Sequence, residues 1–305
     1  MPTQIQKTIE EKQLPIRYVA QATGVLPVTL RAWERRYGLL KPARTEKGHR
    51  LYSEGDIATI RQIVALIRRG IPIGTARGML DQPQQKSVAA SDWPAFRNQL
   101  TKASQSLDIS AALQVMRHAG QLYPLTMLAE TLILPVDRIM MQTGSSSAWA
   151  ARNVLMSSCE LYLEQRSQQA QPGTGNGPVL LAGLSQAQSF PGAQLFVACM
   201  REAGIDARWL GAMPDATAFA GVLRDSKALA GIIWEDNEPA VDWEAELRQL
   251  QRARPCFVML GGEMPGRYPA AVQALSMPVL PRDNDESAAL LLALRRKPAG
   301  IGGKP

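Results

Sequence analysis

The sequence predicts a multidomain protein of the α and α/β classes: an N-terminal winged helix-turn-helix, a middle helical bundle and a C-terminal unit built on a parallel sheet. Three observations predict it. Two short helical stretches, 15–24 and 27–37, flank a very tight turn and lead into a Pro- and Gly-broken segment dense in Lys and Arg. Leu, Met and Ala then recur at spacings of three and four from Asp92 to Ala170. From Pro178 short apolar strands alternate with amphipathic helices.

The first unit is expected over 14–81, after a polar tail at 1–13 expected to be disordered. Its first helix begins near Pro15 and stops at Gly24; its second restarts at Pro27 and stops at Gly38. Pro42 and Gly48 break any further helix, and Leu40, His49, Leu51 and Tyr52 suit the short strands of a hairpin, or wing. Ser53 with Asp56 has capping-box spacing and opens a helix carrying Ile57, Ile60, Val64 and Ile67 on one face, ended by Gly70. A short helix over 73–80 completes the unit.

Residues 81–92 read as a linker, and 91–170 as a bundle of four helical stretches, the third carrying Pro135 as a possible kink. Residues 168–178 form a second linker. Its Gly173, Gly175 and Gly177 have G-x-G-x-G spacing, but they precede the first strand, whereas a dinucleotide-binding turn must follow one. The last unit, 178–297, places strands at 179–184, 207–211, 229–234 and 256–260, with a fifth at 278–280. Helices lie between them and one closes the chain, which makes a Rossmann-like sheet covered on both faces.

Charge locates the first function. Of a net +7, residues 1–90 hold 15 Lys plus Arg against 7 Asp plus Glu, so the remainder is nearly neutral. A local basic excess points to a polyanionic partner for that segment. In the second short helix Leu30, Trp33 and Tyr37 share an apolar face for docking. Arg31 and Arg35 lie four apart on another face, flanked by Thr29 and Arg36. Such a helix presents forked donors to base edges and phosphates. Lys41, Arg44, Lys47, His49 and Arg50 of the wing suit the adjacent phosphate backbone.

Other chemistries find little support. Cys159, Cys199 and Cys256 are far apart, which favours free thiols over disulfides or a zinc site. Neither a membrane-length apolar run nor a signal-peptide pattern occurs, so a cytoplasmic protein without membrane contact is expected. The α/β unit contains no histidine, so no Ser-His-Asp or Cys-His set is available and no catalytic residue is assigned. Glu235 to Glu238 read EDNE just past the third strand, where α/β ligands bind; four acid or amide residues in a row could hold magnesium, but a polar loop is expected there. No metal site is assigned.

The run T-L-R-x-W-E-R-R-Y-G-L from Thr29, then P-x-R-T from Pro42, G-H-R-L-Y from Gly48 and D-I at Asp56 closely resembles the winged-helix DNA-binding domain of MerR-family transcription regulators. The resemblance covers 15 to about 80. It implies a recognition helix carrying Arg31, Trp33 and Tyr37, and a phosphate-gripping wing carrying Arg44, Arg50 and Tyr52. It further implies a homodimer on double-stranded promoter DNA and contact with RNA polymerase. Leu26 departs from the pattern, where a Ser-like cap often precedes the Pro.

A bundle followed by an α/β unit resembles the branch with a cobalamin-binding-like domain, the light-sensing CarH and LitR type. That branch carries D-x-H-x-x-G after its first strand. Aligned on Gly192, this chain has Ala187 for the Asp and Ser189 for the cobalt-ligating His, and with Trp149 as the bundle's Trp, the Glu-His pair falls on Cys159 and Glu160. Gly261 and Gly262 fit a later Gly-Gly turn. The departure is similar to MlrA-like regulators, which keep the architecture without the cobalamin residues. The expectation is therefore a regulator without a cofactor, whose C-terminal region takes a signal. The alternatives are a cobalamin-dependent light-sensing repressor and a hub docking a signalling protein, such as an enzyme of cyclic-di-GMP metabolism.

Overall fold

The computed structural model describes residues 13–69, 71–81, 92–167, 177–184, 192–236, 242–253 and 255–296. The expected tail over 1–12, most of both linkers, and Gly70 lie outside the described residues.

The chain opens with a two-residue strand β1 (Leu14–Pro15), then α1 (Ile16–Thr23) and α2 (Pro27–Ala32), whose last turn widens into a π turn over Trp33–Tyr37. Gly38 ends it at φ 59°, a left-handed conformation that costs glycine little, with its N–H returned to the Glu34 carbonyl. Pro15 does not open the first helix as expected. It sits extended before it and pairs with Leu51. The wing is β2 (Ala43–Arg44) against β3 (Arg50–Tyr52), so with β1 the sheet has three antiparallel strands in the order β1-β3-β2. Leu40 and His49, expected in strands, lie outside them. The first is buried coil, and the second is in the turn, where its N–H donates to Thr45. α3 (Glu54–Arg68) starts with the capping box, Ser53 and Asp56 each satisfying the other's backbone. α4 (Ile73–Asp81) follows.

The bundle comprises α5 (Trp93–Gln105), α6 (Ile109–Leu122), α7 (Leu125–Met127), a π segment over Leu128–Ile133, α8 (Leu134–Thr143) and α9 (Ser146–Ser167). Pro135 has no N–H for the preceding turn, and the helix widens there rather than breaking. The α/β unit runs β4 (Val179–Gly183), α10 (Gly192–Glu202), β5 (Ala207–Ala212), α11 (Ala216–Asp225), β6 (Ala230–Glu235), α12 (Trp243–Ala253), β7 (Phe257–Gly262), α13 (Met264–Arg267), α14 (Pro269–Leu275) and α15 (Asn284–Arg296). The sheet is parallel, in the order β5-β4-β6-β7. The expected fifth strand is a single bridge from Val279 to Leu260, where flanking Pro278 and Pro281 withhold donors.

Alternation along the strands divides the core. Leu180, Ala182, Ile233 and Leu260 face α11, α12 and α14 through Phe219, Leu247, Leu250 and Val272. Val179, Leu181, Ile232 and Met259 face the other way, into a cluster that includes Phe196 and Met200 and continues through Leu122, Leu125 and Met116 to Leu30 and Trp33. The apolar interior thus runs unbroken through all three units.

Polar ties cross the same boundaries. Buried Arg166 of α9 donates twice to Glu202 of α10 and reaches Tyr162 Oη at 2.6 Å. Arg138 of α8 meets Glu263 after β7 at 3.1 Å. Arg68 of α3 pairs with Asp283, at 3.5 Å, and with Asp285 of α15, while neighbouring Asn284 donates to Glu130 of the bundle at 3.0 Å. Burial pushes the Glu130 carboxyl upward, against the pull of that hydrogen bond.

Candidate functional site

The second helix of the N-terminal unit owes its orientation to its apolar face. Leu30 and Trp33 have no exposure, and the Trp33 indole N–H donates to the Leu122 carbonyl at 2.7 Å, in the buried seam with α6. That fixes the opposite face outward. Arg31 and Arg35 project from it, exposed. Lys41, Arg44, Lys47 and His49 are exposed on and beside the wing.

The arginines do not all behave alike. Arg36 is exposed but turns toward the bundle, donating to Gln121 at 3.2 Å. Arg50 donates twice to Glu34, and Arg44 joins the same carboxylate at 3.2 Å. The hydrogen bond to Glu34 raises the Arg50 pKa further. Glu34 therefore ties the wing to the second helix. The reading of the sequence passed over it, although a lone acid inside W-E-R-R is the available signal.

Two expected contact residues lie elsewhere. Thr29 has no exposure, and its hydroxyl has no partner among the described residues. It occupies the inner face of α2 with Leu30, one helical turn before Trp33. Tyr52 is 1% exposed, and its hydroxyl also lacks a partner among the described residues. Burial beside Glu34 pushes the phenol up to about 12. As placed, both side chains belong to the core of the unit rather than to its surface.

At the sheet's carboxyl edge the chain order reverses between β4 and β6, the crevice where open α/β sheets bind ligands. Here the protein's own side chains fill that crevice. Trp234 packs tilted against Phe196, 4.9 Å between centroids, and donates its indole N–H to Asp236 at 2.9 Å. Glu235, 2% exposed, accepts the Leu184 N–H. Three glycines make room. A Cβ at Gly192 would strike the Asp236 carboxylate, one at Gly261 would lie 2.7 Å from the Trp234 ring, and one at Gly262 would lie 2.5 Å from the Glu235 carbonyl. Burial pushes Asp236 up to about 6, and neighbouring Glu263 and Glu235 add to the rise.

Two of the EDNE residues thus hold the protein together, while Asn237 and Glu238 lie outside the described residues, as do Ala187 and Ser189. Gly192 opens α10. Trp149 is 60% exposed on α9, with the Arg152 guanidinium 5.8 Å from its ring centre, whereas Cys159 is fully buried and its thiol pKa is pushed up. The chain's two histidines are far from this edge: His49 is in the wing turn, and His118 is edge-on to Phe96 in the bundle. These residues do not fit a cobalamin ligated from below. The cradle of glycines is occupied by Trp234 and Asp236, and no imidazole stands near it. Among the described residues no helix is long and apolar enough to cross a membrane. No group of three or more His, Cys, Asp or Glu is placed to hold a metal among them either.

Comparison with known proteins agrees with the first unit. Residues 14–83 match the family described as MerR HTH family regulatory protein. The chain is 37% identical over 120 residues to the HTH-type transcriptional regulator MlrA of Salmonella typhimurium, covering 39% of this chain and 49% of that one. It is 40% identical over 72 residues to the HTH-type transcriptional repressor CarH of Myxococcus xanthus, 24% of each. The chain thus spans about half the length of the MlrA relatives it matches. Among solved structures, the monomethylamine corrinoid protein of Methanosarcina barkeri is 11% identical, with a TM-score of 0.49 over 67% of this chain and 100% of that one. The N-terminal unit is a MerR-type helix-turn-helix domain, and through it this chain is homologous to the MlrA and CarH regulators.

Proposed function

We propose that the chain is a transcription regulator that binds double-stranded promoter DNA through its MerR-type domain, as a homodimer, and takes a signal through its bundle and α/β unit. One observation carries the reading. Arg31 and Arg35 stand exposed on a helix whose other face is pinned by Leu30 and Trp33. A rigid helix with forked cations on its free face suits the major groove. In this reading Lys41 and Lys47 of the wing meet the flanking phosphates, the exposed His49 ring donates a hydrogen bond there, and Arg44 and Arg50 exchange Glu34 for phosphate. A two-fold dimer would read an inverted repeat.

The signal-input unit works without cobalamin in this reading, because its crevice is filled by Trp234 and Asp236. Contact with RNA polymerase and with a signalling protein belongs to the same proposal. The test is fluorescence anisotropy of full-length protein on promoter duplexes at fixed salt. Arg31→Ala should lose at least about tenfold in affinity, the worth of a bidentate base contact, with its circular dichroism unchanged. Equal affinity of the folded variant would reject the assignment.

A further inference from the structure

A second concavity lies where the DNA-binding unit meets the α/β unit. The end of α1 and α3 form one wall, and Ala203, in the turn after α10, forms the other with α15. The cleft has a volume of about 430 Å³, within the range of small-molecule sites, and such sites favour boundaries between units. Its floor is apolar and made mostly of short side chains, including Val64, Ala203, Ala288 and Leu292. Two guanidinium groups stand at it, from Arg61 and Arg68.

The two are not equivalent. Arg68 is matched by Asp283 and Asp285 across the boundary. Arg61 is exposed and spends a hydrogen bond on the neutral carbonyl of Ala22, at 3.2 Å, which holds the side chain over the cleft without cancelling its charge. Asp285 also lines the cleft, so with Arg68 set against two aspartates the local positive charge comes from Arg61. One guanidinium over a small-residue apolar floor suits an anion with an aliphatic body. We propose that this cleft binds an amphipathic organic anion, an aliphatic carboxylate or phosphate monoester, with its head on Arg61 and its chain against Val64, Ala203 and Leu292. A head that also engages Arg68 competes with Asp285, and so loosens the tie between the DNA-binding unit and the α/β unit.

The test needs no DNA and is independent of the reading of the first unit. Full-length protein is titrated calorimetrically with octanoate, octyl phosphate and octylammonium. Saturable binding is expected for at least one anion and none for the ammonium, and the stronger anion identifies the head group. Arg61→Gln should weaken binding at least tenfold, and Ala289→Trp, which fills the cleft from an exposed position, should abolish it. Circular dichroism confirms the fold of each variant. Failure of both anions to saturate, equal binding of octylammonium, or undiminished binding by folded Ala289→Trp would overturn the proposal.

Discussion

The Trp33 indole N–H donates to the Leu122 carbonyl at 2.7 Å, across the seam between the helix-turn-helix unit and the bundle. One side chain thus completes the miniature core of the helix-turn-helix and fastens it to the next unit. Trp33→Phe deletes the pyrrole half of the fully buried indole, so it leaves a small cavity as well as a stranded carbonyl. The expected cost is about 1–3 kcal/mol, measured by urea unfolding. A loss under about 0.5 kcal/mol would mean that the hydrogen bond does not hold the seam.

Thr29 separates a core role from a DNA-contact role. Its hydroxyl is buried without a partner among the described residues. Thr29→Val keeps the shape and removes that unpaired group, so stability should hold or rise by about 1 kcal/mol, with unchanged duplex affinity. A variant that folds equally well yet binds duplex several-fold more weakly would return Thr29 to the interface.

Glu34 holds Arg44 and Arg50 on a partly exposed surface. Glu34→Gln should cost about 1–2 kcal/mol, because Arg50 holds the carboxylate through two part-buried hydrogen bonds. It frees two cations and removes an acid from the face that would meet phosphates in the proposed function. Affinity for scrambled duplex should rise several-fold, with a steeper salt dependence, and selectivity should fall. An unchanged salt slope would show that the two arginines never reach phosphate.

Asp236 gives a pH dependence of definite sign. Its carboxyl titrates near 6 in the folded chain against an ordinary value of 3.8. Between those values the folded state holds the proton more tightly than the unfolded state. Stability from this group therefore falls as pH rises from about 4 to 6, by up to roughly 3 kcal/mol. Above pH 6 the penalty is complete. Asp236→Asn should flatten this part of the stability profile in denaturant melts at pH 4.5 and 7. A profile identical to that of the parent would exclude Asp236 as its source.

The sequence carried the layout well where a local signal existed. Ser53 and Asp56 announced their helix, Gly38 its predecessor's end, and short apolar runs alternating with amphipathic helices the buried parallel sheet. What it hid depends on contacts far apart in the chain. Leu14 and Pro15 become a strand only because β3 arrives beside them. Thr29 reads as a surface flank because a hydroxyl gives no hint that its helix turns that face inward. Arg36, Arg44 and Arg50 look alike on paper, and only folding gives them Gln121 and Glu34 as partners. Likewise, Gly192, Gly261 and Gly262 fit a cofactor cradle, and the structure fills it with Trp234 and Asp236.

The central claim is that the exposed Arg31–Arg35 face reads duplex sequence. Selection of full-length protein against a random double-stranded pool, followed by sequencing, tests it most directly. Enrichment of an inverted repeat with half-sites spaced by whole helical turns is expected, and loss of that enrichment in Arg31→Ala with Arg35→Ala. No enriched motif from the parent protein, or the same motif from the folded double variant, would contradict it.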